Sequence, residues 1–125
     1  LHLSYTGRPE EGLAEIEEAQ RRDPYAVGWY EDFRGTILTT AGRYGEARDC
    51  FSRMASLPWW SVVRLVICHA ELGQTGEARE VLAKVKAHYS GISLDEVVDK
   101  ELDYFEDPGI CRAYRAILQR LDQMA

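Results

Sequence analysis

The sequence predicts an all-α fold built from successive helix hairpins and closed by two further helices. Three observations predict it. The stretches TGRPEEGLAEIEEA (6–19), AGRYGEARDCFSRM (41–54) and LGQTGEAREVLAKV (72–85) share one pattern, with Gly7, Gly42 and Gly73 in register at separations of 35 and 31 residues. Within each copy a small residue (Gly12, Ala47, Ala78) is followed four positions on by a larger apolar one (Ile16, Phe51, Leu82). Ala19, Met54 and Val85 come three further on, so all three positions share one helical face. Finally, 125 residues with 46% apolar and 29% charged side chains suit one soluble domain with a single core.

The elements follow in chain order. Upstream of Gly7 only Leu1 to Tyr5 remain, so the chain is expected to begin inside a helix and to be a piece of something longer. Gly7 opens the turn before the first patterned helix. Asp23-Pro24 then opens a helix over 29–40, with Pro24 acceptable in a first turn because its missing N–H has no helical partner there. The Gly42 and Gly73 turns lead into the second and third patterned helices, since glycine enters left-handed backbone at little cost. Pro58 opens the intervening helix, which runs to Leu72. Further on, Ser93 and Glu96 have capping-box spacing, and Leu94, Val97, Val98 and Leu102 form a stripe, which predicts a helix over 93–105. Asp107 and Pro108 start a last helix with Ile110, Ala113, Tyr114, Ile117, Leu118 and Leu121 on one face.

A helix, a glycine turn, a second helix with Ala before a large apolar residue, and then Pro, at about 34 residues, resembles the tetratricopeptide repeat. The resemblance covers residues 1 to about 90. Gly7, Pro24, Gly35, Gly42, Ala47, Phe51, Ala78 and Leu82 match, Gly35 standing where two helices of a repeat approach. Glu31 stands where the pattern favours Trp, Val66 where the next copy would carry Gly, and Pro58 arrives one residue early; Trp29, Tyr30 and Phe33 are available to stand in for the Trp. The resemblance implies a right-handed α-solenoid: a partial repeat over 1–24, repeats over 25–57 and 58–90, and C-terminal capping helices over 91–125. FEDPGICRAYRAIL, through Phe105, Asp107, Pro108, Tyr114 and Leu118, also resembles a tail that follows such arrays in bacterial proteins carrying a class III nucleotide cyclase or winged-helix regulator. That implies the C-terminal part of a larger regulatory protein.

In such a superhelix the first helix of each pair lines the concave surface. The resemblance therefore places Tyr5, Trp29, Asp32, Phe33, Thr36, Thr40, Trp60, Val63, Arg64, Ile67 and Glu71 on a groove that binds a protein partner. Its centre is aromatic and apolar, the kind of surface that dominates protein interfaces, although Phe33, Trp59 and Trp60 are equally suited to packing between helices. Family members that clamp extended peptides use asparagines and basic side chains. This chain has no Asn and only Arg64 matches, so a helix is the better-suited occupant. It could come from a partner, from a second copy in a homodimer, or from residues 108–123.

Composition narrows the alternatives. A net charge of −6 opposes binding to nucleic acid. Seven acids against Lys100 concentrate that charge between Ser93 and Asp107, where a solvated face is the simplest reading. The longest apolar run, 62–70, is interrupted by Arg64 and is too short to span a bilayer, and the first residues do not resemble a signal peptide, so a cytoplasmic location without membrane contact is expected. Three scattered cysteines (Cys50, Cys68, Cys111) argue against a disulfide framework. Cys68 and His69 are adjacent and so point about 100° apart on a helix, with no further ligand at helical spacing. No cofactor or metal is expected, and a scaffold is favoured over a small metal- or thiol-dependent enzyme or a purely structural support for an upstream catalytic domain.

Overall fold

The computed structural model describes residues 9–24, 27–54, 56–101 and 108–124. Every regular element among them is helical: α1 (Pro9–Arg22), α2 (Val27–Thr40), α3 (Tyr44–Ser52), α4 (Trp59–Glu71), α5 (Thr75–His88), α6 (Leu94–Glu101) and α7 (Pro108–Gln123). Gly7, Tyr5 and the tail residues Phe105 and Asp107 lie outside the described residues, as does the part of the expected 93–105 helix beyond Glu101.

The patterned positions pack alike in all three copies. Gly12, Ala47 and Ala78 are buried, as are Ile16, Phe51 and Leu82. Ala19 and Met54 are half-buried where Val85 is fully enclosed. Each enclosed large apolar side chain is worth about 1.5–3 kcal/mol relative to exposure. The glycine turns also repeat in detail. After α2, Gly42 N–H donates to Thr39 O at 3.1 Å and Arg43 N–H to Leu38 O at 2.9 Å. After α4, Gly73 N–H donates to Ala70 O at 3.1 Å and Gln74 N–H to His69 O at 2.8 Å. Both are Schellman closures with the glycine in left-handed backbone, at φ +81° and +77°. The next residue caps the following helix in nearly one conformation, Arg43 at φ −92°, ψ 66° and Gln74 at φ −90°, ψ 62°. Pro58 is the N-cap of α4, where its fixed φ of −63° fits and no N–H is missed.

Neighbouring helices pair in order: α1 with α2, α2 with α3, α4 with α5. Helix α4 meets both α2 and α3, and α7 meets both α4 and α5, with α6 against α4 and α7. The resulting apolar clusters run along the chain. Ile16, Tyr30 and Ile37 join α1 to α2; Leu38, Ala47, Cys50, Phe51 and Cys68 join α2, α3 and α4. The largest gathers Val63, Val66 and Ile67 with Ala78, Leu82 and Val85, Val97 and Val98, and Tyr114, Leu118 and Leu121.

Gly35 explains how closely α2 and α3 approach. A Cβ built on it would lie 2.5 Å from Cε1 and 2.7 Å from Cζ of Phe51, so the ring occupies the space that a side chain would need. Glu31, the departure from the repeat pattern, is buried and paired. Arg34 and Arg53 both donate to its carboxylate, the latter at 3.4 Å, and Arg34 also donates to Gln20 Oε1 at 2.7 Å. Two guanidiniums compensate the desolvation that a lone buried carboxylate would suffer, and the group ties α1, α2 and the end of α3 together. The expected capping box is present at α6: Glu96 N–H donates to Ser93 Oγ at 3.2 Å, and Ser93 Oγ lies 3.4 Å from Glu96 Oε1.

Candidate functional site

The candidate site is the strip of α2 and α4 left over when the flanks of these helices are satisfied. One flank of α4 faces α2: Ser61 donates to Asp32 Oδ1, and Cys68 Sγ lies 3.5 Å from Thr39 Oγ1. The other faces α5, where the Trp59 ring stacks on His88 at 3.9 Å between centroids and 14° between planes. Between these flanks, at helical spacing, run Trp60, Val63, Arg64, Ile67 and Glu71.

The structure divides the expected groove residues. On α2, Asp32 and Phe33 are half-buried, Phe33 resting on the Ile16–Tyr30–Ile37 cluster. Thr36 is buried, its hydroxyl donating back to Asp32 O at 2.9 Å, and so it offers no open surface. Thr40 is half-buried. On α4, Trp60 is 38% exposed and Glu71 is exposed. Tyr5 and the side chain of Trp29 lie outside the described residues.

Val63, Arg64 and Ile67 depart from expectation. They are 0%, 1% and 0% exposed, enclosed and not on an open surface. Val63 and Ile67 belong to the same cluster as Val97 and Val98 of α6 and Tyr114 and Leu118 of α7. Arg64 Nη1 donates to Trp60 O at 3.4 Å, which turns the guanidinium back along its own helix. Helical periodicity shows that these residues share a face; it does not show what lies on that face. The Leu94–Val97–Val98 stripe was visible in the sequence, but its target was not.

Trp60 and Asp32 form the seam between the two hairpins. The indole Nε1 donates to Asp32 Oδ2 at 3.1 Å while the neighbouring Ser61 hydroxyl engages the other oxygen. One carboxylate from α2 thus fixes the first turn of α4 and holds the Trp60 ring in a set orientation.

Cys50 and Cys68 are held as thiols at neutral pH. Burial pushes Cys50 up to about 11, with the Glu31 carboxylate adding to the effect. Burial likewise pushes Cys68 up to about 11, against the partial relief of its contact with Thr39. The thiolate is the reactive form, so both stay inert unless exposed. His69 does not join Cys68; its Nδ1 lies 2.7 Å from Gln74 Oε1, across the glycine turn. Among the described residues no three His, Cys, Asp or Glu side chains converge into a metal-binding group, and no helix is long and apolar enough to cross a membrane. Compared with protein-family models, curated proteins and solved structures, the chain matches none.

Proposed function

We propose that this chain is a noncatalytic protein-interaction scaffold: a right-handed α-solenoid of tetratricopeptide-like hairpins, forming the C-terminal part of a larger bacterial regulatory protein. The repeated turns support the solenoid reading, because two hairpins set by the same closure, 31 residues apart, and by the same buried positions stack on their neighbours alike. The observation that carries the function is Trp60. A large aromatic ring, 38% exposed and held by Asp32 at a hairpin seam, is a pre-oriented anchor that loses little rotamer freedom on binding. Phe33, half-buried on α2, and Glu71, exposed at the far end of α4, are the other expected groove residues of that strip with open surface. The occupant suited to it is a helix of a protein partner, with self-association the simplest case.

Sedimentation velocity of the chain across concentrations, repeated for Trp60→Ala and Phe33→Ala, tests the reading together with a photo-crosslinking residue at position 60 of the parent protein. Weakened self-association in the variants, or a discrete crosslink from position 60 that is missing from a control at exposed Arg79, supports it. Unchanged association in both variants with no crosslink from position 60 overturns it.

A further inference from the structure

We propose that His88 and Trp59 form a proton-strengthened clasp across the open end of the α4–α5 hairpin, one whose hold on the first turn of α4 grows as the imidazole gains its charge. Trp59 is the first residue of α4 and His88 the last of α5, so the pair closes the hairpin at the end away from its glycine turn. The two rings stack at 3.9 Å between centroids and 14° between planes. The Tyr89 ring stands edge-on to both, 6.0 Å from the indole and 4.7 Å from the imidazole. The indole is half-buried against the largest apolar cluster, which fixes it, while the imidazole lying on it is exposed. Protons therefore reach the imidazole without any opening of the fold.

Two features of this placement favour an imidazolium over the neutral ring. The π-face of an indole carries partial negative charge and attracts a cation held within about 6 Å of its centroid. The last carbonyls of a helix lack helical partners and also favour a cation beside them. The groups facing His88 are few. From α4 there is the indole alone, since the first turn of that helix holds no acid. From the turn after α5 there is the Tyr89 ring. On its own helix Lys84 lies one turn back on the same face, and its like charge opposes the imidazolium in part. Lys86 is engaged by Asp122 of α7 at 2.5 Å. Among the described residues no carboxylate pairs with His88, so the indole and the helix end are what its charge meets. Histidine changes charge between pH 5 and 8. A ring that the fold holds better when charged adds stability that is full at the acidic end of that window and lost at the alkaline end. The first turn of α4 also carries Trp60, yet the clasp does not depend on what Trp60 binds.

Urea unfolding of the full chain, His88→Gln, Trp59→Leu and the double variant, each at pH 5.5 and 7.5, reads the coupling between the two rings. The coupling factor in the folding constant is expected to be about threefold larger at pH 5.5, the scale of a cation on a partly exposed aromatic face. Lys84→Gln should widen the difference by removing the opposing charge. A coupling that is equal at the two pH values, or larger at pH 7.5, overturns the proposal. In that case any acid-dependent loss in His88→Gln belongs to the helix end without the indole. If Trp59→Leu does not fold, His88→Gln decides against the unaltered chain. Its loss must be about threefold greater in the folding constant at pH 5.5 than at pH 7.5, and equal losses overturn the proposal. Unfolding requires no partner, so this outcome is separate from that of crosslinking at position 60.

Discussion

Replacing Gly35 by alanine should destabilise the chain even though helix propensity favours the change. In an ordinary helix interior, Gly→Ala gains about 1 kcal/mol. Here the added methyl carbon would sit 2.5 Å from Cε1 of Phe51, and to restore a contact of 3.4 Å the ring must retreat by roughly 0.9 Å. The ring is 1% exposed and enclosed with Leu38, Ala47, Cys50 and Cys68, so it has no open side to retreat into. Overpacking of this kind costs about 1–3 kcal/mol. The net expectation is a loss of up to ~2 kcal/mol, which lowers a urea midpoint by up to ~1 M for a slope near 2 kcal/mol per M. Gly35→Leu should lose more. Phe51→Leu removes the obstructing ring edge, and in that background Gly35→Ala should turn stabilising by about 1 kcal/mol, the propensity gain alone. A midpoint that rises for Gly35→Ala in the unaltered chain would refute the close approach of α2 and α3 at this point.

Other outcomes follow from the turns, the buried carboxylate and the thiols. Gly42→Ala and Gly73→Ala should each cost about 1–2 kcal/mol in urea unfolding, and by similar amounts, because both glycines hold the same left-handed closure with open space around the Cβ position. Glu31→Ala should cost about 2 kcal/mol or more by leaving the mostly buried Arg34 guanidinium poorly paired, whereas Arg53→Ala should cost under ~1 kcal/mol since that side chain is 56% exposed. Cys50 and Cys68 should resist a thiol reagent at pH 8 until the chain is unfolded. With folded values near 11 against an ordinary 9.0, both remain protonated while the unfolded thiols ionise. Stability is therefore complete below pH 9 and declines as pH rises from 9 to 11. Tyr44, raised by burial and by the Glu71 carboxylate, acts in the same direction as pH rises above 10. Replacing both cysteines by alanine should flatten the pH 9–11 decline, read by thermal melting across that range.

What was legible in the sequence was local. The glycine that ends a helix, the small residue that lets a neighbour close in, and the Ser93–Glu96 capping pair each act within a few residues, and each stands where the pattern put it. What was hidden required knowing which segment covers which. The spacing of Val63, Arg64 and Ile67 is as consistent with an open groove as with a core, and only the position of α6 and α7 decides between them. Glu31 looked like a flaw because its compensating charges come from Arg34, three residues on, and from Arg53 at the far end of the next helix. Helical spacing offers the Glu31–Arg34 pair, but no periodicity joins it to Arg53. The hairpin α2–α3 was thus readable from one strand of text, and the enclosure of α4 was not.

Asp32 gives the junction of the hairpins a direction. Helix α4 begins at a proline N-cap with no side-chain cap of its own, yet its first turn carries Trp60 and Ser61, both donating to a carboxylate supplied from α2. A negative charge at that end also complements the partial positive charge of the helix start. The second hairpin therefore borrows its beginning from the first. Cut away upstream of Pro58, the remaining segment should fray from the leading end of α4 inward.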